Sequence, residues 1–328
     1  MGNTKKITDE VSFYFKPTLK SFAKLAEEAK LLEDMKLVLG HYIPEGTLIH
    51  FPSPRGVGKT YFCIQLCMAV ASELPSFLGE PITLHGNTLY INNELSEKTI
   101  RRRLLELRNT CPFLPEQRFK ARAFTTKNSL TEDLPALLQI VERIKPVLIV
   151  IDNLRMAFTD TDTNNNKEIT RMMYTLLALC ESSKTAIVIT DHFRKHTSSL
   201  LSDSDLQTGS GVKTDLSDGD FFLRKSGQSK HLRLLKRGKS RHFEEADDAK
   251  LLRLNPDTMW FEVVEEHVNE AEHIGLKTIR QKDEQQDIAR LLQEQGKTFR
   301  EIAVILGKSK STVHRWLDAD KSSDESKQ

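Results

Sequence analysis

The stretch Phe51-Pro-Ser-Pro-Arg-Gly-Val-Gly-Lys-Thr60 decides the fold of this chain. The apolar run Leu48–Phe51 leads into it and predicts a strand, and the apolar spacing after it predicts a helix over Tyr61–Leu74. Between a strand and a helix, glycines let backbone N–H groups turn inward around a phosphate, and the helix N-terminus adds partial positive charge. The stretch therefore predicts a phosphate-binding loop.

Two residues of the loop carry the expected chemistry. We expect the Lys59 ammonium to reach the β- and γ-phosphates of ATP and the Thr60 hydroxyl to bind Mg²⁺. The motif GxxxxGK[ST] usually begins with glycine, and the small residue Ser53 stands there instead. A chance Gly-Lys-Thr turn is the alternative. The predicted ATP-binding residues are Ser53, Pro54, Arg55, Gly56, Val57, Gly58, Lys59, Thr60 and Tyr61.

Short apolar runs alternate with longer helical patterns from Thr47 onward. After the loop, these runs are Thr88–Asn92, Val147–Ile151 and Ala186–Thr190. Some runs are apolar almost throughout, as in strands buried on both faces, so we predict an α/β fold with a mostly parallel sheet flanked by helices. Shorter, alternating segments follow and predict antiparallel strands at the sheet's edge: Asp220–Leu223, His231–Leu235 and Met259–Val264.

Polar side chains with candidate roles follow each of these three runs. Asp152 ends the second run, the pattern of a strand that delivers a carboxylate to Mg²⁺. Because Asn153 is not acidic, the base that activates water must come from elsewhere, and Glu94 after the first run is the candidate. The alternative for Glu94 is a carboxylate at the start of a helix over Leu95–Leu107. His192 follows the third run, where it contacts the γ-phosphate or is a surface histidine.

These segments together resemble the RecA-like ATPases. Ser53–Thr60, the strand that ends in Glu94, Val150-Ile-Asp152 and Thr190-Asp-His192 come in the order of that superfamily. Over roughly residues 40–265 they are most similar to the RepA-type hexameric plasmid helicases and related mobile-element ATPases, whose loop often begins Ser-Pro. The resemblance implies that Glu94 is the catalytic glutamate, that Asp152 is the Walker B aspartate and that His192 senses the γ-phosphate.

The resemblance also implies two features beyond the core strands. The loop Lys195–Asp218, with Thr208-Gly209-Ser210, would face a ring's central channel and touch single-stranded DNA, although its aspartates argue against this. Lys239-Ser-Arg241 resembles the Lys-x-Arg pair that reaches a neighbouring subunit's γ-phosphate. Such head-to-tail contacts close rings, here a hexamer. The alternative is a solvated basic hairpin made of Lys236, Arg237, Lys239 and Arg241.

The C-terminal segment has the pattern of a helix-turn-helix unit. A helix over Asp287–Gly296 is followed by Thr298, which with Glu301 predicts a capping box, and then by a turn at Gly307 and a helix over Ser309–Leu317. The unit resembles resolvase- and homeodomain-like DNA-binding units, and a three-helix oligomerisation module is the alternative. The expected DNA contacts are Lys308, Lys310, Ser311, Thr312, His314 and Arg315.

Composition limits the remaining possibilities. A chain of 328 residues suggests about two domains, and no stretch has the roughly 20 apolar residues of a membrane span. The N-terminus lacks an apolar signal region, so we expect a cytoplasmic protein. The net charge of +2 neither favours nor excludes nucleic acid as a partner. The four cysteines lack metal-site spacing, and we expect core thiols, with Cys63 and Cys67 one turn apart on a buried helix.

The sequence thus predicts an ATP- and Mg²⁺-dependent motor that acts on DNA, a ring helicase or translocase. A regulatory ATPase that assembles on DNA without unwinding it is the main alternative, and a signalling or defence ATPase whose C-terminal unit binds protein is a third. The expected organisation is a helical segment over 1–40, the ATPase domain over 41–268, a linker over 269–282, the helix-turn-helix over 283–318 and a disordered tail over 319–328.

Overall fold

The chain forms two compact units, Met1–Glu270 and Ala271–Gln328. The computed structural model describes residues 18–111, 120–157, 166–192, 212–244, 246, 248–273, 285–286, 288–293 and 296–318. No helix among these residues is long and apolar enough to cross a membrane. Most of the predicted loop Lys195–Asp218, including Thr208-Gly209-Ser210, lies outside the described residues.

The first unit is an α/β domain. Its helices are α1 (Phe22–Ala29), α2 (Lys59–Ala71), α3 (Glu97–Asn109), α4 (Leu130–Ile144), α5 (Leu154–Ala157), α6 (Asn166–Ser183) and α7 (Val212–Leu216), and its last residue begins a further short helix, α8 (Glu270–His273). Its strands are β1 (Leu37–Leu39), β2 (Ile43–Pro44), β3 (Leu48–Ser53), β4 (Ser76–Phe77), β5 (Glu80–Pro81), β6 (Thr88–Asn92), β7 (Ala121–Thr125), β8 (Leu148–Asp152), β9 (Ala186–His192), β10 (Gly219–Lys225), β11 (Leu232–Ser240), β12 (Ala249–Leu254) and β13 (Phe261–Val268). A short 3-10 helix, Gly40–Tyr42, joins β1 and β2.

One large sheet has the strand order β13-β12-β11-β10-β3-β9-β8-β6-β7. From β10 to β7 every neighbouring pair is parallel, and β11, β12 and β13 continue as antiparallel strands. The predicted fold class is therefore confirmed. Ser53 pairs with His192 and Asn92 pairs with Asp152, so the carboxyl ends of β3, β9, β8 and β6 meet at one edge of the sheet.

The sheet is covered on both faces because its central strands are apolar at consecutive positions. Every residue of β3, β6 and β8 is buried, and Val150 and Ile151 of β8 belong to different apolar clusters on opposite faces. In one cluster the ring of Phe51 stacks on Phe221 with centroids 4.2 Å apart. Burying such a ring contributes roughly 2 kcal/mol. Cys63, Cys67 and Cys180 lie in these clusters as core thiols.

The structure corrects the strand prediction in three respects. The segment predicted from Asp220 is β10, which runs parallel to β3 and antiparallel only to β11. Two strands of this large sheet, β12 and β7, were not predicted. The sequence of β12, Ala-Lys-Leu-Leu-Arg-Leu, does not alternate strictly, and β7 is a partly exposed edge strand of only five residues with little apolar signal.

The predicted helical segment at the N-terminus is also corrected. Residues 37–39 of the predicted segment form the strand β1, which pairs with β2, and Val38 is part of the buried core, because pairing and burial outweigh the local helical spacing. The helix α1 exists, but none of its residues, all described, is buried, and Phe22 is 90% exposed.

The predicted linker 269–282 is helical near its start. Its residues 270–273 form α8, and Glu270 is buried between Arg224 and Lys236 at 3.2 and 2.8 Å. Paired with two cations, this carboxylate holds the end of the first unit against β10 and β11. Residues 274–284 lie outside the described part of the chain.

The second unit contains the predicted helices. Residues 285–286 and 288–293 are helical, followed by α9 (Phe299–Leu306) and α10 (Lys310–Asp318). Thr298 and Glu301 form the predicted capping box, and Gly307 ends α9 with a φ of +62°, a conformation that favours glycine. Val313 and Trp316 are buried in its small core.

Candidate functional site

The loop between β3 and α2 is shaped by a glycine. Gly58 precedes α2 with a φ of +107°, and a Cβ atom there would lie 3.0 Å from Cζ of Phe261 on β13. Left-handed backbone and this close contact both require glycine. The loop therefore packs against the antiparallel part of the sheet and opens at the N-terminus of α2.

Ser53, which occupies the usual glycine position, ties the loop to β10. Its side chain is fully buried, donates to the carbonyl of Pro52 at 2.7 Å and accepts from the backbone N–H of Leu223 at 3.2 Å. A buried hydroxyl with both partners satisfied adds order without a desolvation penalty. Serine is thus compatible with the loop, for a reason that only the neighbouring strand reveals.

The Lys59 ammonium lies folded into the loop. It donates to the carbonyls of Ser53 and Pro54 at 2.8 and 3.2 Å, and Nδ1 of His192 lies 3.1 Å away. Burial lowers the pKa of Lys59 to about 8, although the nearby Asp152 charge opposes that shift. Burial and the charge of Lys59 also lower the pKa of His192, so a neutral ring can accept from the ammonium.

Three hydroxyls hold Asp152. Thr60 and Tyr90 donate to Oδ2 at 2.8 and 2.5 Å, and Thr190 donates to Oδ1 at 2.7 Å. Burial raises the pKa of Tyr90, and the Asp152 charge adds to that shift, so the phenol stays a donor. Tyr90 and Thr190 were not predicted. The signal that could have found these two residues is the fold class, because β6 and β9, which carry them, are the neighbours of β8 in the sheet.

The residues around Asp152 fit a divalent cation. Mg²⁺ prefers oxygen ligands and is commonly bound through one or two protein oxygens, with phosphates and water completing its shell. The Thr60 hydroxyl and an Asp152 carboxylate oxygen lie 2.8 Å apart at the start of α2, and both face the loop that would carry the phosphates. The predicted metal ligands Thr60 and Asp152 are thus next to each other.

Glu94 lies in the turn after β6, exposed at the rim of the loop. The side-chain amide of Asn153 donates to its carboxylate. The following helix, α3, begins at Glu97 with Ser96 as its N-cap, so the helix starts two residues later than predicted. The alternative role for Glu94 was a carboxylate beside the first residue of this helix. The residue that caps the helix is instead Ser96, and Glu94 lies two residues before it.

One cavity of about 360 Å³ brings the predicted site together. A volume of this size is typical of small-molecule sites. Its apolar side includes Leu254 at the end of β12, Met259 from the connection between β12 and β13, and the Tyr61 ring, over which Arg103 lies at 5.1 Å. The lining residues are Pro54, Arg55, Gly56, Val57, Gly58, Lys59, Thr60, Tyr61, Glu94, Leu95, Arg103, Asp152, His192, Leu254 and Met259.

Lys239 and Arg241 lie away from this cavity. Ser240 at the end of β11 pairs with Gly219, which pairs with Ile49 near the start of β3, so this end of β11 is opposite the phosphate loop. Lys239 donates to the carbonyl of Thr214 at 2.9 Å. Arg241 contacts the Asp218 carboxylate at 3.2 Å and the carbonyl of Asp215 at 2.6 Å. Neither cation lines the nucleotide cavity of its own chain.

Asp191, which lies between Thr190 and His192, faces away from the cavity. It accepts from Lys213 at 2.7 Å and lies 3.6 Å from the ring of His50, and all three side chains are buried. Burial raises the pKa of Asp191, but the His50 ring and the Lys213 charge outweigh burial and hold it at about 2. Lys213 belongs to α7, a helix within the stretch predicted as loop.

The predicted DNA-contacting side chains of the second unit are exposed, apart from the half-buried Thr312. Ser309 is the N-cap of α10, and its hydroxyl lies within 2.9 Å of those of Ser311 and Thr312. These two hydroxyls are therefore engaged in the cap. The ring of His314 packs edge-on against Phe299. Lys308, Lys310 and Arg315 present the cations of this surface.

Comparison with known proteins agrees with both units. A family model described as AAA domain matches residues 17–198, more than half of the chain, and one described as Homeodomain-like domain matches residues 280–325. The chain is 28% identical over 171 residues to DNA repair protein rhp57 of Schizosaccharomyces pombe. That match covers 49% of this chain and 46% of the relative, so the chain spans about half the length of this curated relative.

A solved structure shares the fold. A KaiC-like protein of the hyperthermophilic archaeon Pyrococcus horikoshii OT3 superposes with a TM-score of 0.50 at 16% sequence identity. The superposition covers 68% of this chain and 93% of that protein. At this identity the likeness shows a common fold and nothing about substrates.

Proposed function

The chain belongs to the AAA domain family, and from this premise we propose that it is an ATP-driven motor that acts on DNA. It has a RecA-like P-loop ATPase core and a C-terminal helix-turn-helix unit. More narrowly, we propose a RepA-like ring helicase or translocase for the replication or mobilisation of a plasmid or another mobile element. The resemblance in Ser53–Thr60 and in the strand ends supports this assignment.

The observation that carries the proposal is the cavity that joins Lys59, Glu94, Asp152 and His192. Lys59 neutralises charge on the β- and γ-phosphates, and His192 contacts the γ-phosphate when the ammonium turns from its carbonyls to the nucleotide. Glu94 takes the proton of the attacking water. When bound at Thr60 and Asp152, Mg²⁺ supplies positive charge against the phosphates.

The DNA-facing part of the proposal rests on the second unit. Lys308, Lys310 and Arg315 are exposed near and along α10, the helix that follows the turn, where the second helix of such units enters the major groove. Ser311, Thr312 and His314 complete the proposed contact surface. The curated relative is named a DNA repair protein, which supports a role on DNA. Single-stranded DNA would contact the loop 195–218 in the ring's channel.

The ring is proposed from the position of Lys239 and Arg241. Because they lie at the end of the sheet opposite the phosphate loop, they are remote from the cavity of their own chain, and in a ring they would exchange their contacts with Thr214, Asp215 and Asp218 for the γ-phosphate of a neighbouring subunit. Heterologous contacts of this kind close into rings, and we propose a hexamer. We further propose that residues 41–268 are the motor domain, 269–282 a linker and 283–318 the DNA-binding domain of a cytoplasmic protein.

A regulatory ATPase that binds duplex DNA without unwinding it is the second candidate. The specific observation in its favour is the helix-turn-helix unit, which recognises duplex rather than displaced strands. Three measurements distinguish the two candidates: the ATPase rate with no DNA, single-stranded DNA or duplex DNA, strand displacement, and the particle mass with and without ATP. For a helicase, single-stranded DNA raises the ATPase rate and the enzyme displaces strands. For a regulator, only duplex DNA raises the ATPase rate and no strand is displaced.

A further inference from the structure

The ammonium group of Lys127 contacts the turn that carries Glu94. Its Nζ donates to three consecutive carbonyls, those of Asn93, Glu94 and Leu95, at 2.9, 3.2 and 3.1 Å. An ammonium has three N–H donors, so this single group satisfies its full donor capacity on one turn of backbone.

We propose that Lys127 is a positioning residue for Glu94, holding the backbone of this turn so that the carboxylate faces the phosphate loop. The inference rests on the proposed function, in which Glu94 is the base. Three adjacent carbonyls can converge on one point only if the backbone of Asn93, Glu94 and Leu95 keeps one conformation. Charge-assisted hydrogen bonds of this kind are about twice as strong as neutral ones.

The register of the sheet explains why Lys127 reaches the turn. Thr125 of β7 pairs with Asn92 of β6, so Glu94 and Lys127 each lie two residues beyond a paired strand end. The Asp133 carboxylate of α4 accepts from Thr126 at 2.5 Å and from Asn128 at 2.9 Å, on both sides of Lys127. The backbone that carries Lys127 is therefore fixed independently of its contact with the turn.

The other contacts of the turn complete its support. The side-chain amide of Asn92 donates to the carbonyl of Leu95 and accepts from its N–H, both at 3.0 Å. Asn153, beyond the end of β8, donates to the Glu94 carboxylate itself. Asn153 thus orients the side chain of Glu94, whereas Lys127 holds the backbone from the opposite neighbouring strand, β7.

The test compares Lys127→Met, Lys127→Arg and the matched control Lys120→Met, in the full-length chain. Lys120 stands just before β7, at its other end, and among the described residues its ammonium pairs with the half-exposed Glu73 alone, at 3.3 Å, so its loss removes the same charge without touching the turn. We expect Lys127→Met to lower kcat about 10- to 100-fold, because misplacing a catalytic group by about 1 Å costs rate on this scale. ATP affinity should change less than about twofold, since Lys127 does not line the cavity. Lys127→Arg should recover most of kcat, and Lys120→Met should match the parent.

The decisive measurement adds Lys127→Met to Glu94→Gln. If Lys127 acts through the carboxylate, the double variant turns over as slowly as Glu94→Gln and no more slowly, because coupled residues are not additive. A further tenfold loss in the double variant, or equal kcat for Lys127→Met and Lys120→Met, overturns the inference while leaving the base in place. A Glu94→Gln variant with parental kcat instead removes the proposed base, whatever Lys127 does.

Discussion

Nζ of Lys59 lies 3.1 Å from Nδ1 of His192, 133 residues along the chain, because the ends of β3 and β9 are paired. The lysine of the phosphate loop thus contacts the residue that we propose as the γ-phosphate sensor. Under the proposed function, both side chains would exchange this contact for contacts with the phosphates of ATP.

Replacing Lys59 by alanine should abolish hydrolysis, because the cationic contact to the transferring phosphate is lost. The variant should remain folded, since within the described part of the chain the ammonium hydrogen-bonds to loop carbonyls and to His192 rather than to side chains of the apolar core. The ATP turnover of the variant measures its activity, and circular dichroism measures whether it is folded. An NMR titration supplies the control, in which the pKa of His192 should rise once the lysine charge that lowers it is gone. Near-normal turnover in the folded variant would refute the site.

Glu94→Gln should bind ATP and Mg²⁺ normally and hydrolyse ATP at least ~100-fold more slowly, which is the usual contribution of a general base. The amide keeps the size of the side chain and can still pair with Asn153, so binding is preserved. Isothermal titration and single-turnover kinetics separate the two effects. Weak ATP binding with unchanged turnover would mean that the residue is structural.

Arg241→Ala should bind ATP nearly as well as the parent and hydrolyse it poorly, since an arginine supplied by a neighbour contributes roughly 10³-fold or more. In one chain Arg241 contacts Asp218 and the carbonyl of Asp215, outside the cavity. Mixing Arg241→Ala with Lys59→Ala should restore part of the ATPase activity. At some interfaces the intact phosphate loop of an Arg241→Ala subunit then meets the intact Arg241 of a Lys59→Ala subunit. Hydrolysis independent of protein concentration, without rescue on mixing, would exclude the ring.

The buried pair of Asp191 and Lys213 should make stability depend on acid pH. The folded pKa of Asp191 is about 2, below its ordinary 3.8, so its contribution is complete above the unfolded pKa and is lost as pH falls through about 2. Urea unfolding should show Asp191→Asn less stable at pH 7 by about 3 kcal/mol, as expected when a buried lysine loses its partner. The difference from the parent should shrink by roughly 2 kcal/mol between pH 5 and pH 2.

A control for that experiment removes both charges. Asp191→Asn with Lys213→Met leaves no unpaired buried cation, so part of the lost stability should return. A difference from the parent that stays constant with pH would show that Asp191 is not held ionised by its neighbours.

Arg315→Ala should weaken duplex binding by about 10- to 100-fold, the cost of losing a base or phosphate contact worth 1–3 kcal/mol. Arg315 is exposed, so folding should not change. Arg300→Ala is the matched control, because Arg300 is an exposed arginine on α9, outside the helix proposed to enter the groove. Fluorescence anisotropy at two salt concentrations measures both. Equal losses in the two variants would contradict recognition by α10.

The sequence by itself determined the features that depend on residues close together in the chain. The phosphate loop, the buried strands before Glu94 and Asp152, the capping box at Thr298 and the turn at Gly307 are all local patterns, in which residue type and spacing decide the backbone conformation. Local patterns also explain why the parallel α/β class could be predicted, since apolar runs without alternation require burial on both faces.

Only the tertiary structure decided which distant side chains meet. In this sheet β8 lies between β6 and β9, so Tyr90 and Thr190 reach Asp152 although they are far from it in sequence. β7 is paired beside β6, which brings Lys127 to the turn of Glu94. Strand order in a parallel sheet is set by packing over long separations in sequence and leaves no periodic signal in the residues that it brings together.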